Sequence, residues 1–431
     1  MNILVINPPN TPYTAEGLLI EPIDTLQLAS CIKEQGFDLS VLDMDRKKML
    51  TIPDTINYDW LVIVHDYHIP LHNESTILNI KAIISAAHRA NKNVIMCGKY
   101  ASFGDPHLLD HLGADHYIQG QAESKIVSIL KGKDVTEYDN FTALPCPDRS
   151  LIDLSDYIDV RTVLTSRGCH QHCNFCHVPG FWGGWKYKRP EDVVSEIKSL
   201  YRTNQARKIL FLDDNAIVNR ERMIKICELL KAHNFEDLAL GCLGSSDRMD
   251  EELLGIMYAA GFRWLHLGVE NGDISAVIGT TKKINLQHTK QIIYIAKRIG
   301  FRVRCSFIVD LPGLDENSIK NTEQFILDTL PHEIRLHYLA SRMGSKYHSS
   351  GVQSQTQFIH HPEPTITHDI LSKKQIMCAT EKIINALVNT HGYHEIKDVS
   401  EFNSLDILDD KNPELLLVAQ CPIRYGLKWA R

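Results

Sequence analysis

The sequence Cys169-His170-Gln171-His172-Cys173-Asn174-Phe175-Cys176 places three thiols at CxxxCxxC spacing. It follows an apolar run, Val163-Leu164-Thr165-Ser166, and a turn glycine, Gly168. Eight residues span at most about 25 Å when extended, so a loop this short must turn its sulfurs toward one point. The spacing therefore predicts a compact metal centre with Cys169, Cys173 and Cys176 as ligands.

Three kinds of site are compatible with this spacing. A 4Fe-4S cluster usually takes four Cys thiolates, so three would leave one iron open to a small molecule, as reactive metal sites require. Zinc with His177 as a fourth ligand is the second alternative, and an ordinary loop with three unpaired thiols is the third. The spacing favours the iron-sulfur cluster.

The loop resembles the signature of the radical S-adenosylmethionine (SAM) enzymes, CxxxCxφC, with Phe175 as the aromatic φ. The resemblance implies a 4Fe-4S cluster whose fourth iron binds the amino and carboxylate groups of SAM. The flanking segments at 165–168 and 187–194 resemble motifs of those radical SAM enzymes that carry an N-terminal cobalamin-binding domain. This resemblance covers most of residues 1–350.

Length and composition set the broad class. The chain has 431 residues, which fits two domains and an appendage, and its net charge of -7 includes no basic block, which argues against a nucleic-acid partner. It has no apolar run of about 18 residues and no basic, apolar leader, so we expect no membrane segment and a cytoplasmic location. Its 11 cysteines are irregularly spaced, as in a reducing compartment.

Residues 1–135 alternate short apolar runs with helical patterns, which predicts a doubly wound, Rossmann-like parallel sheet. No GxGxxG word follows the first run, so the dinucleotide fingerprint is missing. Ligands of such sheets bind beyond the carboxyl ends of the strands. Residues 136–158 contain two prolines and little periodicity, and we predict that they form a linker.

The words at 94–102 and 115–123 resemble those of cobalamin-type domains, although Lys99 and Gln121 depart from the pattern. The DxHxxG word that supplies a cobalt-binding histidine in some cobalamin proteins is absent, and His65-Asp66-Tyr67-His68 lies near the corresponding loop. A retained but empty domain is the alternative to cobalamin binding. The predicted cobalamin contacts are Asn7, Pro8, Pro9, His65, Tyr67, Gly98, Tyr100, Ser102, Gly120 and Glu123.

Residues 159–348 show six further strand–helix units, which predicts a partial (βα)6 barrel with its site at the carboxyl ends of the strands. Residues 349–431 form a mostly helical extension, in which Lys373 to Asn389 is the clear amphipathic helix. Taken whole, the predicted fold is α/β, with a Rossmann-like sheet followed by a TIM-type radical SAM barrel.

Polar residues at the predicted strand ends could contact SAM. The resemblance implies that Asp213 and Asp214 lie near its amino group, Arg248 near its carboxylate and Glu270 near its ribose. A helix cap for Asp213 and surface ion pairs for Arg248 and Glu270 are the alternatives. The full predicted set is Phe175, Asp213, Asp214, Ser245, Arg248, Glu270 and Asp310.

Basic residues near the sixth predicted strand, Arg335, His337 and Arg342, suggest an anionic group on the substrate, with ordinary surface charge as the alternative. Asp310 stands where the family usually has glycine, and Arg342-Met343-Gly344-Ser345 replaces a Pro-Gly-Thr-like word. These departures are candidates for substrate specificity.

The resemblance implies an enzyme that cleaves SAM to a 5′-deoxyadenosyl radical and, with cobalamin, methylates an unactivated carbon of a small molecule. An external one-electron donor such as flavodoxin or ferredoxin would reduce the cluster. Ring contraction, cyclisation and aminocarboxypropyl transfer are alternatives within the family. A non-catalytic zinc or iron-sulfur protein is the alternative from another class.

Overall fold

The computed structural model describes residues 1–9, 20–65, 74–104, 106–349, 364, 366, 369–395 and 416–419. The chain divides into two compact units, Met1–Ile158 and Asp159–Arg431. In these described ranges no helix combines the length and the apolar character needed to cross a membrane.

The first unit has a five-stranded parallel sheet in the order β2-β1-β3-β4-β5. Leu61, Val62 and Ile63 of β3 are fully buried, as a strand covered on both faces requires. The strand order reverses between β1 and β3, so the ligand crevice of this fold lies at their carboxyl ends. The elements are β1 Asn2–Asn7, α1 Ile23–Glu34, β2 Asp38–Asp43, β3 Trp60–Val64, α2 Glu74–Arg89, β4 Asn93–Cys97, α3 Lys99–Phe103, α4 Pro106–Leu112, β5 His116–Ile118 and α5 Glu123–Lys131.

Residues 136–158, which the sequence predicts to be a linker, lie within the first unit. Tyr138 is fully buried, and its hydroxyl donates to Glu34 of α1 at 2.8 Å. The amide of Asp148 donates to the hydroxyl of Ser30, also on α1, at 2.7 Å. The segment is irregular, as its prolines predict, but it packs on α1 because its aromatic side chain is buried there.

The second unit has an eight-stranded sheet in the order β14-β15-β13-β12-β11-β10-β9-β6. Six of these strands follow one another along the chain and alternate with helices, as predicted for the partial barrel. The strands are β6 Arg161–Val163, β7 Ser166–Arg167, β8 Lys186–Tyr187, β9 Lys208–Phe211, β10 Ala239–Gly244, β11 Phe262–Glu270, β12 Arg302–Ile308, β13 Glu333–His337, β14 His394–Glu395 and β15 Leu416–Ala419. The helices are α6 Val178–Trp182, α7 Pro190–Thr203, α8 Arg220–His233, α9 Glu251–Ala259, α10 Ile274–Gly279, α11 Leu286–Ile299, α12 Glu316–Thr329, α13 Lys346–Ser349 and α14 Lys373–His391.

The two faces of this sheet differ in character. Leu265 and Leu267 of β11 join the main apolar core, in which the residues of the covering helices are also buried. Side chains of a strand alternate between faces, so His266 lies on the opposite face, called here the inner face. The inner-face positions of β11, β12 and β13 include Trp264, His266, Gly268, Arg304, Ser306, Glu333, Arg335 and His337.

The C-terminal extension contains the predicted helix, observed as α14. Its N-terminus is fixed by a capping box in which the Ser372 hydroxyl and the Gln375 side chain each bind the backbone of the other residue. The extension also adds β14 and β15 beside β13, which the sequence does not predict. A two-residue and a four-residue strand are too short to show a periodic pattern.

Candidate active site

A two-stranded ribbon holds both ends of the segment that contains the cysteine loop, residues 169–176. Strand β7 pairs antiparallel with β8, and Ser166 lies opposite Tyr187. Gly168 has φ 85°, and a Cβ atom on it would lie 2.1 Å from the carbonyl oxygen of Gly184. Only glycine fits such a close approach of two backbones, so Gly168 fixes the point at which the loop leaves the sheet.

Two carboxylates that follow β9 brace the start of this loop. The buried carboxylate of Asp213 accepts from the amide of Thr165 at 2.7 Å, from its hydroxyl at 2.5 Å and from the hydroxyl of Ser166 at 2.6 Å. The carboxylate of Asp214 accepts from the amide of Gly168 at 2.8 Å. Asp213 and Asp214, predicted to contact SAM, therefore have an observed role in holding the backbone.

Cys169 is in a polar environment. The side-chain amide of Asn215 donates to its sulfur at 3.6 Å and the backbone amide of Gln171 at 3.4 Å. Burial alone would raise the pKa of the Cys169 thiol, but hydrogen bonds from His170, Gln171 and Asn215 bring it below its ordinary value. This position therefore favours a thiolate.

The other two thiols are in a more apolar environment. Burial raises the pKa of Cys173 to about 12 and that of Cys176 to about 11, and the other loop thiols contribute to both increases. In the described residues no group of three His, Cys, Asp or Glu side chains is close enough to hold one metal ion. A four-iron cluster offers a separate iron to each thiolate, so it does not need three sulfurs at one atom.

The segment that follows α10 supports the outer side of the loop. The amide of Asn174 donates to the carbonyl of Thr280 at 2.8 Å, and the hydroxyl of Thr281 donates to the carbonyl of His172 at 2.8 Å. The amide of Lys283 donates to the side chain of Gln171 at 2.9 Å. Backbone groups of the loop are thus satisfied by residues more than 100 positions away in the sequence.

His170 forms an ion pair with Asp247, with 2.9 Å between its Nε2 and Oδ2. Hydrogen bonds to Asp247 and Cys169 raise the pKa of His170 to about 9, so the ring is charged at neutral pH. Asp247 also lies 3.6 Å from Arg248, whose side chain is 53 % exposed. Ser245, another predicted SAM contact, is buried near Asp247 and helps to lower the pKa of that carboxyl group.

Glu270, at the end of β11, forms a partly buried ion pair with Lys282. The two charged groups lie 2.6 Å apart, and Lys282 also donates to the carbonyl of Gly268 at 2.7 Å. The positive charge of Lys282 partly offsets the effect of burial on the pKa of Cys173, which indicates that the Glu270–Lys282 pair lies close to the cysteine loop. Glu270 has φ 67° at an irregularity in the pairing of β11 with β12.

The last two predicted SAM contacts, Asp310 and Phe175, lie on the same edge. The carboxylate of Asp310 accepts from the amide of Leu339 and ties the segment after β12 to that after β13. Phe175 and Tyr347 pack against an apolar cluster that includes Leu311 and Leu339. The aromatic residue of the cysteine loop is therefore anchored in this cluster.

Charged side chains line the inner face of β12 and β13. Arg335, predicted to bind substrate, is buried 3.3 Å from Glu333, and Glu333 also lies 2.7 Å from Arg304. Arg335 is therefore not a surface residue. His337 lies one inner-face position further along β13, and Arg342 follows the strand at intermediate exposure.

A neutral histidine lies beside this group. The Nε2 of His266 is 2.6 Å from the hydroxyl oxygen of Ser306 on the neighbouring strand. Burial is the main cause that lowers the pKa of His266, and the positive charges of Arg304 and Arg335 add to it. The pair can donate and accept hydrogen bonds without carrying charge at neutral pH.

Comparison with known proteins assigns the second unit. The sequence pattern of the radical SAM superfamily matches residues 163–326, which include the cysteine loop, β7 to β12 and most of α12. Residues 163–326 are a radical SAM domain. The resemblance carried by Cys169, Cys173, Phe175 and Cys176 is therefore confirmed, because all four residues lie within this domain.

Beyond this domain, the chain as a whole is similar to several known proteins. An anaerobic magnesium-protoporphyrin IX monomethyl ester cyclase of Synechocystis sp. is 21 % identical over 88 % of this chain and 82 % of its own length. The structure of the radical SAM methyltransferase TsrM from Kitasatospora setae, with cobalamin and a [4Fe-4S] cluster bound, covers 80 % of this chain and 76 % of its own, with a TM-score of 0.63 and 14 % identity. The cobalamin-dependent SAM radical enzyme OxsB, with aqua-cobalamin and SAM bound, covers 75 % of this chain and 51 % of its own, with a TM-score of 0.61 and 17 % identity. These likenesses confirm the predicted fold.

The residues predicted to contact cobalamin lie where the first sheet ends, apart from Tyr67, which is outside the described residues. Asn7 donates to Asp43 at 2.9 Å, and Asp43 accepts from the hydroxyl of Tyr157 at 2.6 Å. Pro8, Pro9 and Glu123 are buried. The buried ring of His65 meets the edge of Tyr100 with 6.0 Å between ring centroids.

The loops after β4 and β5 are tied together by Ser102. Its hydroxyl donates to the carbonyl of Gly98 at 2.7 Å and accepts from the amide of Gly120 at 2.9 Å. Gly98 has φ 114° and Gly120 φ 68°, conformations that other residues rarely adopt.

The sequence reasoning missed Arg222 and Lys282. It placed Asn215 and Asp247 at the carboxyl ends of the second and third predicted strands but assigned them no role. Asn215 directly follows the Asp213-Asp214 word, and its position could have indicated a role. Arg222 donates to the carbonyl of Thr165 at 2.8 Å from within α8, where an arginine normally predicts an exposed side chain. Nothing in the local sequence of Asp247 or Lys282 indicates their partners.

Proposed function

We propose that this radical SAM enzyme holds a 4Fe-4S cluster on Cys169, Cys173 and Cys176 and, with cobalamin, methylates an unactivated carbon of a small anionic molecule. The observation that carries the proposal is the cysteine loop, which the β7–β8 ribbon, the residues after β9 and the segment after α10 hold at the carboxyl edge of a parallel sheet. Such rigidity positions an iron centre with one open coordination site. When bound, the cluster supplies the electron that cleaves SAM, and cobalamin carries the methyl group.

The thiols suit a metal cluster for an electrostatic reason. Cys173 and Cys176 are too buried to ionise alone near neutral pH, as their raised pKa values indicate. Metal binding displaces those protons, and the hydrogen bonds to Cys169 stabilise thiolate charge there. The chain thus combines one polar thiol with two that ionise when metal binds.

The predicted SAM contacts divide into two groups. Asp213 and Asp310 use their carboxylates on backbone amides, and we propose that they position the edge rather than reach SAM. Glu270, Arg248 and Asp214 keep polar groups at partly exposed positions and are the better candidates for direct contact. We propose that Lys282 holds Glu270 in place for the SAM ribose.

Cobalamin binding to the first unit is supported by three features. The sheet order reverses at β1 and β3, where ligands of this fold bind. Gly98 and Gly120 leave the edge without side chains at two turns, so a flat macrocycle could lie close to the backbone. Two cobalamin-bound enzymes share the fold over 75 % or more of this chain.

The substrate is proposed to be anionic because of the inner face. Arg304 and Arg335 lie 2.7 Å and 3.3 Å from the carboxylate of Glu333, beside the neutral His266–Ser306 pair. Guanidinium groups bind carboxylate and phosphate groups in a bidentate manner, and the pair can bind a hydroxyl. His337 and Arg342 would extend this site toward the cysteine loop.

Anaerobic reconstitution with iron and sulfide tests the metal centre. We expect a brown protein with four irons per chain by metal analysis, an EPR signal on reduction and a change of that signal on adding SAM. A colourless protein with stoichiometric zinc would contradict the proposal. Co-elution of added hydroxocobalamin tests the first unit separately.

A second reaction has one specific observation in its favour, since a relative that matches 88 % of this chain is named a cyclase. SAM labelled in its methyl group distinguishes the two reactions. Methyl transfer moves the label into the product, whereas cyclisation releases hydrogen from the substrate and leaves the label in methionine. We expect a labelled product, formed with electrons from flavodoxin or ferredoxin.

A further inference from the structure

Two large apolar side chains lie exposed beside the cysteine loop. Ile278 is 68 % exposed and Ile274 is 51 % exposed, on the short helix α10. They are four positions apart, so they form one continuous patch, while Ala276 and Val277 of the same helix are buried. Ile278 is the most exposed large hydrophobic residue of the described ranges.

This helix is joined directly to the loop. The carbonyl of Gly279, its last residue, accepts from the side chain of Asn174 at 3.1 Å and from the hydroxyl of Tyr347 at 3.2 Å. Asn174 lies next to Cys173 in the sequence. The exposed isoleucines are therefore connected to a predicted cluster ligand through a single hydrogen-bonded residue.

Basic side chains lie on the segments that contact α10 and the cysteine loop. His172 of the loop and Lys283 of the following segment are exposed, and so are Lys346 and His348 of α13, whose Tyr347 contacts Asn174 and Gly279. Asp273, the acidic residue that caps α10, is buried and binds the backbone of Ser275 and the side chain of Asn321. Ile274, Ile278, His172, Lys283, Lys346 and His348 together form what we call the docking face.

The docking face has the features of a transient electron-transfer interface. Such interfaces are small, with buried areas below about 1,200 Å². Basic residues at the rim attract an acidic partner and speed its association without making the complex permanent.

We propose that the docking face binds an acidic flavodoxin, whose flavin passes one electron to the cluster beneath the loop. In this step the reduced flavodoxin loses one electron and the oxidised cluster gains it. The inference rests on the proposed function, because only a reducible centre needs such a donor. It adds to that function the surface that receives the donor.

The central test measures the rate at which chemically reduced flavodoxin reduces the reconstituted full-length protein, followed by the bleaching of the cluster. The double variant Ile274→Glu/Ile278→Glu places two negative charges on the apolar patch. We expect at least a tenfold lower second-order rate constant, about 1.4 kcal/mol, with the rate for dithionite unchanged. Leu78→Glu is the matched control, since Leu78 is a 60 % exposed helical residue of the first unit.

The basic rim is tested by Lys283→Glu/Lys346→Glu. This variant should react more slowly with flavodoxin at low salt, and its rate should depend less on ionic strength than that of the wild type. Dithionite again serves as the reference for an intact cluster.

Four outcomes would overturn the inference. If flavodoxin reduces the cluster of the isoleucine variant at the wild-type rate, the docking face does not take part in the electron transfer. Equal losses with dithionite would show that the substitutions damage the cysteine loop itself, and a loss with reduced ferredoxin alone would replace flavodoxin as the partner. Conversion of a wild-type dimer to a monomer with unchanged rates would assign the surface to self-association. A wild-type protein that forms no cluster is a different failure, that of the proposed function.

Discussion

The chain presents two carboxyl edges of parallel sheets, and they differ in how their polar groups are used. At the second edge, side chains that follow three different strands converge on one loop: Asn215, Asp247 and Lys282 all lie close to the cysteine loop. At the first edge, the described polar groups mainly satisfy one another, as Asn7, Asp43 and Tyr157 do. Parallel topology provides an edge in both cases, but only convergence from many strands produces a rigid loop.

The largest effect is expected when the three predicted cluster ligands at the second edge are replaced. Replacing Cys169, Cys173 and Cys176 together by Ala should reduce iron to background and abolish SAM cleavage, because no thiolate remains to hold the cluster. Iron analysis and 5′-deoxyadenosine formation measure this. Cobalamin should still co-elute with the variant, and its loss would show that the two edges are not independent.

The bracing of the loop is tested by Asp213→Ala. The variant leaves the amide and hydroxyl of Thr165 and the hydroxyl of Ser166 without their acceptor in a buried site, so we expect the free energy of unfolding to fall by about 3 kcal/mol. Urea denaturation measures the change. Asp214→Ala removes one contact at a half-buried site and should cost about 1 kcal/mol. Equal effects of both variants would contradict the proposed difference between a brace and a minor contact.

The stability of the protein should depend on pH through His332, which directly precedes β13 and belongs to neither carboxyl edge. Burial, together with the charges of Lys297 and Arg302, lowers the pKa of His332 from 6.5 to about 4, and its neutral Nδ1 accepts from the amide of Val303. The unfolded chain takes up this proton below pH 6.5 and the folded chain only near pH 4, so stability is lost as pH falls between these values. Urea denaturation gives the free energy of unfolding at about pH 7 and at about pH 5. The decrease between these two pH values should be on the order of 2 kcal/mol larger in the wild type than in His332→Gln.

The smallest expected effect concerns the first edge. Tyr157→Phe removes one of the donors to Asp43 and should lower the free energy of unfolding of this unit by about 1 kcal/mol, with the iron content of the second unit unchanged. Tyr201→Phe is the control, because its hydroxyl binds a carbonyl at an exposed site. A change in iron content would show that the first edge supports the cluster loop.

The cluster loop and most strands could be predicted from local sequence. CxxxCxxC, Phe175 and Gly168 lie within nine residues, so their spacing alone indicates the cluster loop, and apolar runs of four to six residues located most strands. Prolines at 145 and 147 predicted irregular backbone but not its packing on α1, since burial of Tyr138 depends on a helix that begins 115 residues earlier.

The sequence by itself determined the chemistry that the loop can perform and the succession of strands and helices that carries it. Tertiary structure decided how the polar residues are used. Asp213 binds Thr165 across 48 positions, Lys283 binds Gln171 across 112, and Ser306 meets His266 across 40. Those pairings depend on the order in which strands align in the sheet and on which face each residue occupies, and no short pattern encodes either. Ile274 and Ile278 belong to the same class, because only the folded chain shows that α10 turns them outward beside the cysteine loop.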